Sequence, residues 1–167
     1  SFNCSQNVFK TACAKQDSDK KSITFTAFDA NNLYCDRAME SPDFPKLLGF
    51  FEEVSIDIRY SSKVFDHIFN IISKIKEKSV PNMKITLIFS GVKEIGTQFE
   101  GNKNINVVKV EKTVSSIKSS AFNKCVSLSE VVLPDSITEI NDNTFNQCRS
   151  LEKITLPSAL TKIGKFV

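Results

Sequence analysis

The sequence has no long apolar run, a single histidine and no clustered basic stretch, and each absence removes a class of function. Its 167 residues are 41% hydrophobic and 25% charged, ordinary values for a folded domain. No stretch approaches the ~20 consecutive apolar residues that a membrane-crossing helix requires. From Ser1 onward no basic segment leads into an apolar run, so no secretory leader is visible, as would equally hold for a processed chain. The formal net charge is +3, with the lysines spread along the chain. A nucleic-acid surface would carry a Lys/Arg stripe with interleaved aromatics, and the 14 Phe form no such pattern. Neither a nucleic-acid partner nor membrane insertion by this segment is therefore expected.

Catalytic and metal chemistry are equally sparse. Any Ser–His or Cys–His pair would have to use His67. Its context, Phe65-Asp66-His67-Ile68-Phe69, contains no nucleophile elbow or reactive-cysteine signature, so a surface histidine is the simpler reading. Gly91 and Gly96-Thr97 are spaced like part of a phosphate loop, but the lysine before the threonine is missing; a turn between two strands explains them better. Asp135, Glu139, Asn141, Asp142 and Asn143 lack the alternating register and distal Glu of a calcium loop, and Asn-Asp-Asn is ordinary turn chemistry. The five Cys include no Cys-x-x-Cys pair and no Cys/His cluster suited to zinc. The expectation is no catalytic residue, no cofactor and no metal. Asn3-Cys4-Ser5 is the only glycosylation sequon, relevant to an exported chain.

What the chain does have is repetition. Val110-Glu-Lys-Thr-Val114-Ser-Ser-Ile117 is answered 23 residues later by Leu133-Pro-Asp-Ser-Ile137-Thr-Glu-Ile140. Phe122, Cys125, Leu128 and Val131 are answered by Phe145, Cys148, Leu151 and Ile154, and Leu156, Leu160 and Ile163 open a third copy. Apolar and thiol positions recurring in register mark a stacked repeat, because one unit cannot bury its apolar face alone. Cys125 and Cys148 share a slot and hence an environment, in which a free thiol serves as a small apolar filler. Cys4, Cys13 and Cys35 could include one disulfide in an exported protein.

Taken in order, residues 1–22 read as an N-terminal cap, with a short amphipathic turn or helix ended by Asp17-Ser18-Asp19. Residues 23–90 read as long irregular repeats: a strand from Ile23, a turn at Asp29–Leu33, a short helical piece from Lys46 to Glu53, and an alternating strand from Val54 to Tyr60. Ser61-Ser62 then caps a helix over about 63–78, with Val64, Phe65, Ile68, Phe69, Ile71, Ile72 and Ile75 on its apolar stripe. A strand follows from Lys84 to Phe89. Residues 91–167 read as short repeats, the last incomplete, with Val92 and Ile95 each one place late. Strands centre near residues 25, 56, 86, 108, 131 and 154. This rhythm predicts a single α/β solenoid with a parallel concave sheet, helix-containing units in its N-terminal half and 23-residue units in its C-terminal half.

The short unit resembles the BspA-like leucine-rich repeats, whose pattern Leu133, Pro134, Ile137, Ile140, Phe145, Cys148, Leu151 and Ile154 fill, with Gly164 supplying the family's glycine in the next copy. The previous copy departs at Glu111, which replaces the Pro, and at Lys118, which replaces the Gly. The resemblance is specific over about 105–164; over 1–84 only the strand rhythm matches. It implies a non-catalytic protein-binding solenoid, displayed at a cell surface as an adhesion-type protein, or else a cytoplasmic scaffold or regulatory subunit acting on a partner enzyme.

In a strand successive side chains alternate in direction. With Ile154 and Leu156 inward, Lys153 and Thr155 point outward, and a 23-residue step predicts two ladders on the concave face. One is Lys84, Val107, Glu130 and Lys153; the other is Thr86, Lys109, Val132 and Thr155. Ser55, Asp57 and Arg59 continue the face upstream. These residues are the candidate surface for a protein partner, with Glu130 and Lys153 placed to neutralise each other. The apolar side of the third copy is expected to meet further repeats or a second molecule.

Overall fold

A computed structural model describes residues 14–17, 19, 21–26, 41–59 and 63–167, and among residues 14–17 and 63–68 the backbone only. The chain divides into two compact units, Ser1–Lys84 and Ile85–Val167. The expected Asp29–Leu33 turn, the Ser61-Ser62 cap, Cys4, Cys13, Cys35, the Asn3 sequon and the His67 side chain lie outside the described residues.

In the first unit, β1 (Ala14–Asp17) runs antiparallel to β2 (Ser22–Thr26), with Ala14 opposite Phe25 and Asp17 opposite Ser22. A strand therefore stands where an amphipathic turn is expected. Ala14-Lys15-Gln16-Asp17 holds one apolar residue, too few to show any period, and its pairing is supplied by the edge of β2. Parallel to β2 on its other side lies β3 (Glu53–Ile58), which sets Val54 beside Ile23 and Ile56 beside Phe25. All four are buried. The short helix α1 (Phe44–Leu48) starts earlier than expected, with Pro45 in its first turn where a missing N–H costs nothing. It buries Phe44, Leu47 and Leu48, and the Phe44 ring meets that of Phe25 edge-on at 6.0 Å.

Helix α2 (Lys63–Ser79) matches the expected span. Of the expected stripe, Phe69 and Ile72 are buried and Ile71 and Ile75 half-buried, while the side chains of Val64, Phe65 and Ile68 lie outside the described residues; Ser73 and Lys76 are buried as well. Burial lowers the Lys76 pKa, and the Ser73 hydroxyl has no hydrogen-bond partner.

The second unit is the stacked repeat. Strands β4 (Lys84–Phe89), β6 (Val107–Val110), β8 (Glu130–Val132) and β10 (Lys153–Thr155) lie side by side and parallel. Leu87, Val108 and Val131 form one inward row, each 0% exposed. Each repeat then crosses the stack through a two-residue strand. Here β5 (Glu94–Ile95) pairs with β7 (Ser116–Ile117), and β9 (Glu139–Ile140) pairs with β11 (Lys162–Ile163). Between the two strand layers Phe99, Phe122 and Phe145 stack, with centroids 6.2 and 5.8 Å apart and planes within 8° and 4°. Such ring pairs add about 0.5–1.5 kcal/mol each beyond the area they bury.

The turns repeat as faithfully as the core. Positive φ recurs at Gly101 (73°), Lys124 (60°) and Gln147 (58°), and again at Ser120 (63°), Asn143 (58°) and Phe166 (56°), both series at intervals of 23. Polar side chains seal one repeat to the one before. The Ser136 hydroxyl donates to the Val114 carbonyl at 2.7 Å, and the Asn141 amide to that of Ile117 at 2.7 Å. The Asp142 carboxylate accepts the Lys165 N–H at 2.7 Å. Gly164 passes so close to this turn that a Cβ would lie 2.7 Å from the Asp142 backbone nitrogen.

Candidate functional site

The outward rows of the second unit differ from the predicted ladders at one end. Thr86, not Lys84, stands beside Val107, in a row that continues to Glu130 and Lys153; Ile88, not Thr86, stands beside Lys109, in the row of Val132 and Thr155. The step from β4 to β6 is 21 residues and that from β5 to β7 is 22, whereas the ladder assumed 23 throughout. The late positions of Val92 and Ile95 are the trace of this shortening. Lys84 therefore falls outside the rows, and it forms an ion pair with Glu53 at 3.2 Å.

Burial narrows the surface further. Thr86 and Val107 are 0% and 3% exposed, and in the first unit Ser55 and Asp57 are also buried. From Val54 to Ile58 every residue of β3 is buried, so the strand is covered on both faces, as parallel strands commonly are. Alternation in its sequence suggested one wet face. Arg59, just past that strand, binds Asp57 through Nε at 3.0 Å. Of the predicted residues, Lys109, Glu130, Val132, Lys153 and Thr155 remain accessible on β6, β8 and β10, and Arg59 and Lys84 are exposed away from them. Lys153 donates to Glu130 Oε1 at 3.0 Å across one strand step. Such an exposed pair is worth a few tenths of a kcal/mol and fixes geometry more than stability. Lys109 makes no ion pair among the described residues, leaving its charge available beside Val132.

Inside the stack, the two repeat cysteines act as donors. Cys125 Sγ points at the Phe99 carbonyl and Cys148 Sγ at the Phe122 carbonyl, both at 3.1 Å, and both thiols are free. Burial, with a smaller contribution from Cys148, pushes the Cys125 pKa up to about 12; burial raises that of Cys148 to about 11. Such thiols stay protonated and unreactive at neutral pH. Among the described residues no group of three or more His, Cys, Asp or Glu could hold a metal ion, and no helix is long and apolar enough to cross a membrane.

A phenylalanine whose carbonyl accepts a thiol one repeat on, repeated in register, is a specific pattern. The pattern of the BspA type leucine rich repeat region matches residues 61–167, in 6 copies. The chain belongs to this BspA-type leucine-rich-repeat family.

The family match reaches back to residue 61, well above the part where the short-unit motif is recognisable by eye, and takes in α2 and β4. The chain is also similar to solved leucine-rich-repeat proteins. One from Bacteroides ovatus is 26% identical over 69% of this chain, with a TM-score of 0.48, and this chain spans 31% of its length. One from T. pallidum is 15% identical over 93% of this chain and 84% of its own, with a TM-score of 0.45. A leucine rich cell surface protein from Faecalibacterium prausnitzii is 18% identical over 62% of this chain and 25% of its own, with a TM-score of 0.42. No curated protein gives a significant match.

Within this BspA-type array one polar ladder was not anticipated. Asn146 donates to Asn123 Oδ1 at 3.2 Å, and Asn123 donates to Glu100 Oε1 at 2.8 Å. Its signal is the same 23-residue spacing, carried by polar residues that look interchangeable when only apolar positions are matched. Asn106 is a second such residue: its side chain accepts the Ile85 N–H at 2.9 Å, so that a side chain continues the strand-to-strand bonding.

Proposed function

We propose that the chain is a non-enzymatic recognition module that holds a protein partner against the outward face of β6, β8 and β10, and that it works at a cell surface. The observation that carries this reading is the accessible cluster of Lys109, Glu130, Val132, Lys153 and Thr155 on three strands in fixed register. The strands that carry it are paired in register, so little entropy would be lost in ordering the site. Mixed charge beside an aliphatic residue suits a protein better than a nucleic acid, whose phosphates would require a basic stripe. Family membership supports the same class of function, since repeat arrays present extended surfaces for binding.

The test is charge reversal at Lys109→Glu, Glu130→Lys and Lys153→Glu combined, in a pull-down from the cell-surface fraction. The triple variant should lose the partner captured by the unmodified chain, while Lys118→Glu with Lys162→Glu, on the two-residue strand side, should keep it. Loss of the partner only in the second variant would sink the proposal. Labelling intact cells with a membrane-impermeant amine reagent tests the location: a chain that stays unlabelled until lysis is intracellular.

A further inference from the structure

We propose that the turns entering β6, β8 and β10 carry a basic strip, Lys103, Lys124 and Arg149, that binds a linear sulfated polysaccharide. In the sequence these cations are scattered; the fold gathers them. Lys103 and Arg149 hold the same place two repeats apart, roughly 10 Å along the stack at the spacing of neighbouring strands, with Val126 at that place between them. Lys124 belongs to the middle turn, two residues before Val126. The Gly101 N–H donates to the Asn123 carbonyl at 2.7 Å and the Lys124 N–H to that of Asn146 at 2.8 Å, so the three turns are bonded in sequence along the stack.

All three cations are exposed, and none forms an ion pair or a side-chain hydrogen bond among the described residues. Elsewhere in the repeats Lys118, Lys153 and Lys162 are each met by a glutamate of the preceding repeat. Two carboxylates border the strip. Glu100 is engaged by the Asn123 amide at 2.8 Å, and Glu152 forms no ion pair with Arg149, three residues before it. The strip therefore keeps its charge.

Uncompensated cations set out along the stack axis call for a linear polyanion, and the rest of the strip narrows the choice. No large apolar side chain is exposed on these turns, so nothing would enter a lipid surface. Their phenylalanines, Phe99, Phe122 and Phe145, are buried, which leaves no ring on which a nucleic-acid base could stack. What accompanies the cations is neutral and hydrogen-bonding: the exposed Gln147 and Ser150 and the half-buried amide of Asn146, which suit sugar hydroxyls. A sparsely carboxylated sugar polymer would meet only some of the cations, whereas a multiply sulfated one carries charge densely enough for all three. The strip lies on turns and not on the outward strand face, so it does not depend on the protein partner proposed above.

The experiment is calorimetric titration of the full chain with a heparin octasaccharide at about 0.15 M salt, beside unsulfated dextran, oligo(dT) and phosphatidylserine vesicles. Heparin should bind, less tightly as salt rises, and dextran should not. Lys103→Gln, Lys124→Gln and Arg149→Gln should each weaken heparin binding about threefold and together about thirtyfold, with an unchanged melting temperature. Gln147 already fills the positive-φ place of Lys124 one repeat on, so the fold accommodates Lys124→Gln. Removing the same charge elsewhere, at the exposed and unpaired Lys93, Lys112 and Lys165, all three to Gln, should leave binding within about twofold. Equal losses in the two triple variants would mean a response to net charge alone and would overturn the proposal. Absence of heparin binding overturns it too, as does tighter binding to oligo(dT) or to the vesicles.

Discussion

Cys125 and Cys148 show how one residue type meets the demands of a repeat slot: small, apolar, and able to give one weak hydrogen bond to a carbonyl, that of Phe99 or Phe122, which also accepts the N–H of Asn102 or Cys125. Their raised pKa values make a pH prediction. A thiol whose folded pKa lies above its unfolded value gives stability that is complete below the unfolded pKa, near 9, and is lost as pH rises toward the folded values of about 11 and about 12. Urea unfolding between pH 8 and pH 11 should show a fall in stability that is shallower in the Cys125→Ala, Cys148→Ala double variant; equal slopes would mean that the thiols ionise alike in both states. The positive-φ series gives a second test at the same scale. A Cβ on Gly101 would meet nothing within 4 Å, so Gly101→Ala probes backbone conformation alone and should cost about 1 kcal/mol. Lys124→Gly, at the matching turn of the next repeat, should be neutral or stabilising by up to about 1 kcal/mol. Thermal melts of both decide it. In α2, Ser73→Ala removes an unpartnered buried hydroxyl and should stabilise by about 1 kcal/mol.

At the scale of elements, the ring stack holds the two strand layers of each repeat apart and in register. Phe122 is 0% exposed and meets Phe89, Phe99 and Phe145. Phe122→Ala should cost about 3–5 kcal/mol, and Phe145→Ala less, because Phe145 has a ring neighbour on one side only among the described residues. Chemical denaturation of the two variants would contradict this if Phe145→Ala were the more damaging. The stack was legible in the sequence because Phe122 and Phe145 recur at 23 residues with their cysteines three places on. The six parallel strands were legible for a similar reason: Val, Ile and Leu crowd around residues 25, 56, 86, 108, 131 and 154. Less legible was β1, whose pairing comes from a neighbour rather than from any pattern in Ala14–Asp17. On α2 the apolar stripe carried no sign that Ser73 and Lys76 are buried beside Phe69 and Ile72, because their polarity suits them to water.

For the molecule as a whole, function rests on which outward residues remain accessible, and this is where a constant period misleads. Two residues are lost between Phe89 and Val107 relative to the later repeats, and that small deletion moves Thr86 and Lys84 along the face while leaving Glu130 and Lys153 correctly paired. Strand parity could place residues on the outward face but carried no information on whether that face is covered, so Ser55, Asp57, Thr86 and Val107 looked available when they are buried. What survives is a compact cluster on β6, β8 and β10, and the account stands on that cluster being where a protein binds. The most direct measurement is lysine acylation followed by mass spectrometry, with and without the partner captured by the unmodified chain. Lys109 and Lys153 should lose reactivity on binding, while Lys118 and Lys162, paired with Glu94 and Glu139 on the two-residue strand side, should keep theirs. Protection of Lys118 and Lys162 with Lys109 and Lys153 still reactive would contradict the account.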